Sequence, residues 1–103
     1  MPGTDGYVVV FHLPPGSSRQ RHREFARRVV GEATSSWGGK YRYRRKGLLD
    51  EVPHVVLNTG AVLVRADDGP WLSRALRREG GVVELRRVEL TAPDHRTLDR
   101  RRG

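Results

Sequence analysis

The run YVVVFHL, Tyr7 to Leu13, is β-branched and aromatic and is closed by Pro14, Pro15 and Gly16, which predicts a strand. Tyr7, Val9, Phe11 and Leu13 fall on one face, with Val8, Val10 and His12 on the other. Both faces are largely apolar, as expected of a central strand covered on both sides. Ser17 followed by Gln20 has capping-box spacing and predicts a helix start. Behind it, His22, Phe25, Ala26, Val29, Val30 and Ala33 recur at helical spacing as one apolar stripe. Arg19, Arg23 and Arg27 form a separate row four residues apart. Gly38 and Gly39 end this connection, and KYRYRRK, from Lys40, begins a second strand.

GLLDEVPH reads as a turn or short helical excursion halted by Pro53. VVLNTGAVLVR is either one strand kinked at Asn58-Thr59-Gly60 or a tight hairpin there. A hairpin would have arms of only about three to five residues, so a single long strand is the expectation. ADDGPWLSRALRREGG predicts a helix with Asp67 and Asp68 near its start as capping residues, Pro70 in its first turn and Gly80 at its end. Leu72, Ala75 and Leu76 supply its core face, with Trp71 beside them. VVELRRVEL is a last strand whose phase breaks. Val83 and Leu85 share one face, Val88 and Leu90 the opposite one. A bulge near Arg86-Arg87 would restore the register, or the strand end pairs outside the domain.

The order strand, helix, strand, strand, helix, strand fits an α+β, ferredoxin-like βαββαβ sandwich, with two helices on one face of an antiparallel sheet. Residues 7–91 form that domain, preceded by a flexible 1–6. Residues 92–103 are a basic tail in which a short helix can start at Thr91, with a disordered RRRG end. In such a sandwich one sheet face is open and too apolar for water, and a second copy of the chain is the expected cover.

Charge changes the picture more than composition does. The chain has 103 residues and a formal net charge of +8, and 18 of its 20 bases are arginine. The window from Arg19 to Lys46 holds ten bases against two acids, Glu24 and Glu32, so it carries the whole excess. A local surplus of this kind attracts polyanions. On a strand, Lys40, Arg42, Arg44 and Lys46 point one way, and Tyr41, Tyr43 and Arg45 the other. Four bases at two-residue intervals span roughly 20 Å, a comb suited to a run of phosphates rather than to one small anion. Tyr41 and Tyr43 can pack inward or stack on bases, and Arg19, Arg23 and Arg27 can continue the surface from the helix. The bland alternative is an edge strand whose charges discourage aggregation.

Signatures of chemistry are sparse. His12, His22, His54 and His95 have no metal-ligand spacing, and no thiolate site or disulfide can form without cysteine. His12 closes its strand where a functional group could sit; a partly buried strand-end histidine is the plainer reading. Asp50-Glu51 read as a solvated turn. No GxxG loop, zinc spacing, helix-turn-helix signal, dinucleotide fingerprint or cofactor signature is present, and VVLNTGAVLV lacks the aromatics of an RNA-recognition motif. No apolar run spans a bilayer, MPGTDG is unlike a secretory signal, and a cytoplasmic location is expected.

The strand YVVVFHLP, the basic helix and the compact βαββαβ plan resemble the small CRISPR spacer-acquisition protein family. That resemblance implies a ferredoxin-like homodimer that binds duplex DNA backbone, with metal-dependent nuclease activity in some members. The family's strand-end pattern is Tyr-Asp-[Ile/Leu/Val], its aspartate the proposed metal ligand. Here Phe11-His12-Leu13 stands in its place, which removes the carboxylate and leaves scaffold-type binding. The expectation is therefore a homodimeric DNA- or RNA-binding protein without catalysis or cofactor, gripping the backbone through Lys40, Arg42, Arg44, Arg45 and Lys46. Arg19, Arg23, Arg27, Tyr41 and Tyr43 would support that grip. The alternatives are a divergent metal-dependent nuclease using Asp67 or Asp68, and an interaction subunit whose arginines meet an acidic protein partner.

Overall fold

The computed structural model describes residues 5–36 and 41–100, with the side chains of 33–36 and 41–44 outside that description. The fold is α+β. Four strands, β1 (Asp5–His12), β4 (Val55–Asn58), β5 (Ala61–Arg65) and β6 (Val82–Glu89), form an antiparallel sheet in the order β4-β5-β1-β6. The helices are α1 (Arg19–Val29), α2 (Gly69–Arg78) and α3 (Ala92–Arg100). Strands β2 (Gly31–Ser36) and β3 (Tyr41–Lys46) form a separate two-stranded antiparallel ribbon, and a 3-10 turn spans Leu48–Glu51.

The first core lies on the sheet face that carries Val9 and Phe11. Phe25 and Val29 of α1, Leu72 and Leu76 of α2, and Val62 and Val64 of β5 pack against them. Tyr7, Leu85 and Trp71 border this cluster. As expected, β1 is central, with β5 on one side and β6 on the other. The apolar stripe of α1 is narrower than its spacing implied: Phe25 and Val29 are buried, whereas His22, Ala26 and Val30 are exposed.

The ends of α1 also differ from the expectation. Ser18, not Ser17, is the N-cap, its Oγ accepting from the Arg21 N–H at 3.0 Å. Ser17 instead donates from its Oγ to the Pro14 carbonyl, closing the turn before the helix. The helix stops at Val29 rather than running to Ala33. Gly31 follows the cap residue Val30 with φ +93°, a left-handed conformation that ends helices at little cost only for glycine. From there the chain turns directly into β2, so KYRYRRK pairs with β2 and not with the main sheet. A Cβ on Gly47 would sit 2.3 Å from the Gly31 nitrogen, so the two ends of the ribbon cross in near contact at its base.

The second and third strands of the main sheet come instead from 55–65, as a hairpin and not as a single kinked strand. Short arms suffice because β5 is sandwiched: Val62 and Val64 enter one core and Leu63 the other. A bulge between Val56 and Asn58 shortens the β4 arm further. α2 ends before Gly80 as its sequence implied, but Asp68 occupies the N-cap with no side-chain capping bond.

The phase break in β6 has a different cause from a bulge. Register with β1 runs unbroken from Asp5↔Glu89 to His12↔Val82. Val83 and Leu85 serve the first core, while Val88 and Leu90 serve a second one on the opposite face. That second core joins Leu63, Leu90 and fully buried Leu98, flanked by Val8, Val55 and Val88. Leu98 belongs to α3, so the chain's own C-terminal helix covers part of the face for which a second copy was the expected cover. The helix is capped reciprocally: Thr91 N–H donates to the Asp94 carboxylate at 2.9 Å and Asp94 N–H to the Thr91 hydroxyl at 3.3 Å. Arg65 ties it down through Asp99 at 2.5 Å. Beyond its reach Val10 and Val82 stay 39% and 42% exposed. Among the described residues no helix is long and apolar enough to cross a membrane.

Candidate nucleic-acid interface

α1 and the base of the ribbon lie side by side, and five of the described basic residues line the trough between them. One part of it, a surface groove of about 460 Å³, is lined by Glu24, Arg27, Arg28, Glu32, Arg45 and Lys46. The adjoining part is lined by Gln20, Arg23, Ala26, Arg27 and Glu32. The two share Arg27 and Glu32, so they form one continuous surface with five cations and two acids. Glu24 is occupied locally, accepting from Gln20 Nε2 at 3.3 Å.

Arg19, Arg23, Arg27, Arg45 and Lys46 are exposed, and among the described residues none of them has a carboxylate partner. Neighbouring arginines do have partners. Arg21 donates to the Glu79 carbonyl at the end of α2 and lies 5.9 Å from the Phe25 ring centroid. Arg28 pairs with the Glu79 carboxylate at 3.1 Å. Arg87 and Arg86 are matched to Asp5 and Glu84. Within the basic window, then, Arg21 and Arg28 fasten α1 to α2, while the row Arg19, Arg23 and Arg27 is left to solvent. Sequence spacing separated that row correctly but did not place Arg28 in the trough, because the trough needs β2, an element the sequence hides.

Arg42, Arg44, Tyr41 and Tyr43 lie on β3, with their side chains outside the described residues, and Lys40 is outside them altogether. Their positions are nonetheless fixed by the backbone register. Arg42 pairs with Ser35, Arg44 with Ala33 and Lys46 with Gly31; Tyr41, Tyr43 and Arg45 pair with Ser36, Thr34 and Glu32.

His12 is exposed and its Nδ1 donates to the Leu13 carbonyl at 2.8 Å, while His54 is buried and bonded from Nδ1 to the Val52 carbonyl at 3.0 Å. Asp50 accepts from the Gly47 N–H at 2.7 Å, holding the 3-10 turn. Among the described residues no group of three or more His, Asp or Glu side chains is gathered as metal ligands would be. No family model matches the chain, and no curated protein or solved structure matches it significantly.

Proposed function

We propose that this chain is a nucleic-acid-binding protein that holds the phosphate backbone through α1 and the basic ribbon, as a homodimer and without catalysis. The contacts would come from Lys40, Arg42, Arg44, Arg45 and Lys46, supported by Arg19, Arg23, Arg27, Tyr41 and Tyr43. The observation that carries this reading is that Arg23, Arg27, Arg45 and Lys46 line one trough and, among the described residues, have no carboxylate partner. Arginines without carboxylate partners keep their full donor sets for phosphate oxygens. A ferredoxin-like reading is compatible with this. With the ribbon set aside, the order is β1-α1-β4-β5-α2-β6, and β1 lies between β5 and β6. The ribbon is then an insertion after the first helix. Resemblance to the CRISPR spacer-acquisition family would extend only to that frame.

The test is fluorescence anisotropy of the full chain with random-sequence single- and double-stranded DNA and RNA at two salt concentrations, beside polyglutamate as an acidic polypeptide. Salt-sensitive binding to nucleic acid in preference to polyglutamate is the expected result. Preference for polyglutamate would assign the arginines to an acidic protein partner. Strand cleavage that requires added Mg²⁺ or Mn²⁺ would show that the protein is a nuclease.

A further inference from the structure

The ribbon formed by β2 and β3 stands apart from the four-stranded sheet, and its main contacts with the rest of the chain are to α1 and the 3-10 turn. Each strand has six residues, a reach of roughly 20 Å. The two faces of the ribbon differ in charge. Arg42, Arg44 and Lys46 share one face with their register partners Ser35, Ala33 and Gly31. The single acid in these strands, Glu32, pairs with Arg45 and so belongs to the other face. One face therefore holds three cations, no acid and an opposing row of small residues.

We infer that this ribbon enters the major groove of duplex DNA with that face inward. The inference rests on the nucleic-acid reading and narrows its ligand to one class. Two strands about 4.8 Å apart make a body that the ~12 Å major groove of B-form DNA admits as it stands, whereas the ~6 Å minor groove would first have to be widened at a cost in DNA deformation. The deep, narrow major groove of A-form RNA shuts it out as well. Small residues along β2 let the backbone approach the groove floor, while Arg42 and Arg44 supply donors for the phosphates that flank the groove, a contact that carries no sequence preference. From α1, Arg23 and Arg27 line the trough on the Glu32 side of the ribbon, where they can hold the phosphates of the strand flanking the groove and not those facing Arg42 and Arg44.

The experiment compares the full parent chain on three ligands: a short random DNA duplex, the same sequence as duplex RNA, and the DNA duplex with its cytosines glucosylated through 5-hydroxymethyl groups, which fill the major groove. Affinity should fall at least about tenfold on both the glucosylated duplex and the RNA. Dimethyl sulfate should show protection of guanine N7 and none of adenine N3. A33L, which adds bulk to the small-residue row without changing charge, should weaken binding to plain DNA. Equal affinity for plain and glucosylated DNA, or for duplex RNA, overturns the inference while leaving the backbone-binding reading intact. Absence of binding to any nucleic acid overturns both. If A33L instead dissolves a dimer at unchanged DNA affinity, the ribbon is an arm that grips a second copy and the groove assignment is wrong.

Discussion

Leu98→Ala isolates the contribution of α3, because Leu98 is the residue of that helix buried to 0% exposure. The change removes three side-chain carbons from a cluster made with Leu63 and Leu90. At about 0.8 kcal/mol per buried methylene, the transfer term alone is roughly 2.4 kcal/mol. A residual cavity adds to this at about 24 cal/mol per Å³, but this cluster is thin and partly open, so collapse should keep that term small. The expected cost is therefore about 2–3 kcal/mol. For a domain of this size that lowers Tm by roughly 10–15 °C. Thermal melts followed by circular dichroism, with urea titrations for the free energy, measure it. Asp99→Asn is the control, since Asp99 is 70% exposed and the loss of its pair with Arg65 should cost less than about 1 kcal/mol. A Leu98→Ala cost below about 1 kcal/mol would mean that α3 is not docked on the sheet, and the two-core description would fail with it.

Three further outcomes follow from particular residues. Gly60→Ala should cost about 1–3 kcal/mol, because Gly60 has φ +79° and a Cβ there would lie 2.7 Å from the Phe11 carbonyl oxygen; a melt matching the parent would contradict the hairpin turn. The chain should self-associate, burying Val10 and Val82 beyond α3 and the exposed Val56 and Leu57 at the β4 edge; a monomer mass by light scattering at high micromolar concentration would contradict this. His12→Ala should leave nucleic-acid affinity within about twofold, since one exposed histidine adds little to a surface built on several phosphate contacts; loss of a cleavage activity in this variant would make His12 a catalytic group.

The sequence displays β1, α2 and β6 clearly because β1 and β6 are rich in β-branched and aliphatic residues, α2 repeats its apolar residues at helical spacing, and Pro or Gly stands near their ends. It hides β2. The segment Gly31-Glu32-Ala33-Thr34-Ser35-Ser36 contains no large apolar residue, and Val30 and Ala33 continue the spacing of the preceding helix. With β2 hidden, KYRYRRK has no visible partner, and pairing within a ribbon cannot be distinguished from membership of the main sheet. The phase break in β6 is visible as an anomaly, but its cause depends on Leu98, one leucine in an otherwise polar HRTLDRRR stretch. A single apolar residue sets no period, so only its burial reveals the second core. For the candidate site, the charge excess and the Arg19, Arg23 and Arg27 row are legible directly. Which arginines are already engaged is not, since Glu79, the partner of Arg21 and Arg28, lies more than fifty residues away in the chain.

The salt dependence of binding addresses backbone recognition most directly. Each phosphate contact releases condensed counterions, so log affinity falls against log salt by about 0.9 per contact on duplex DNA. Six to eight contacts from the ribbon and α1 predict a slope of about −5 to −7 for the parent, independent of sequence. Replacing both Arg42 and Arg44 by Ala should flatten it by roughly two contacts and weaken all sequences alike, with about 0.5 kcal/mol of stability or less lost at each position. A double variant that binds like the parent with the same slope would reduce the basic strand to a charged, protected edge and contradict the proposed function.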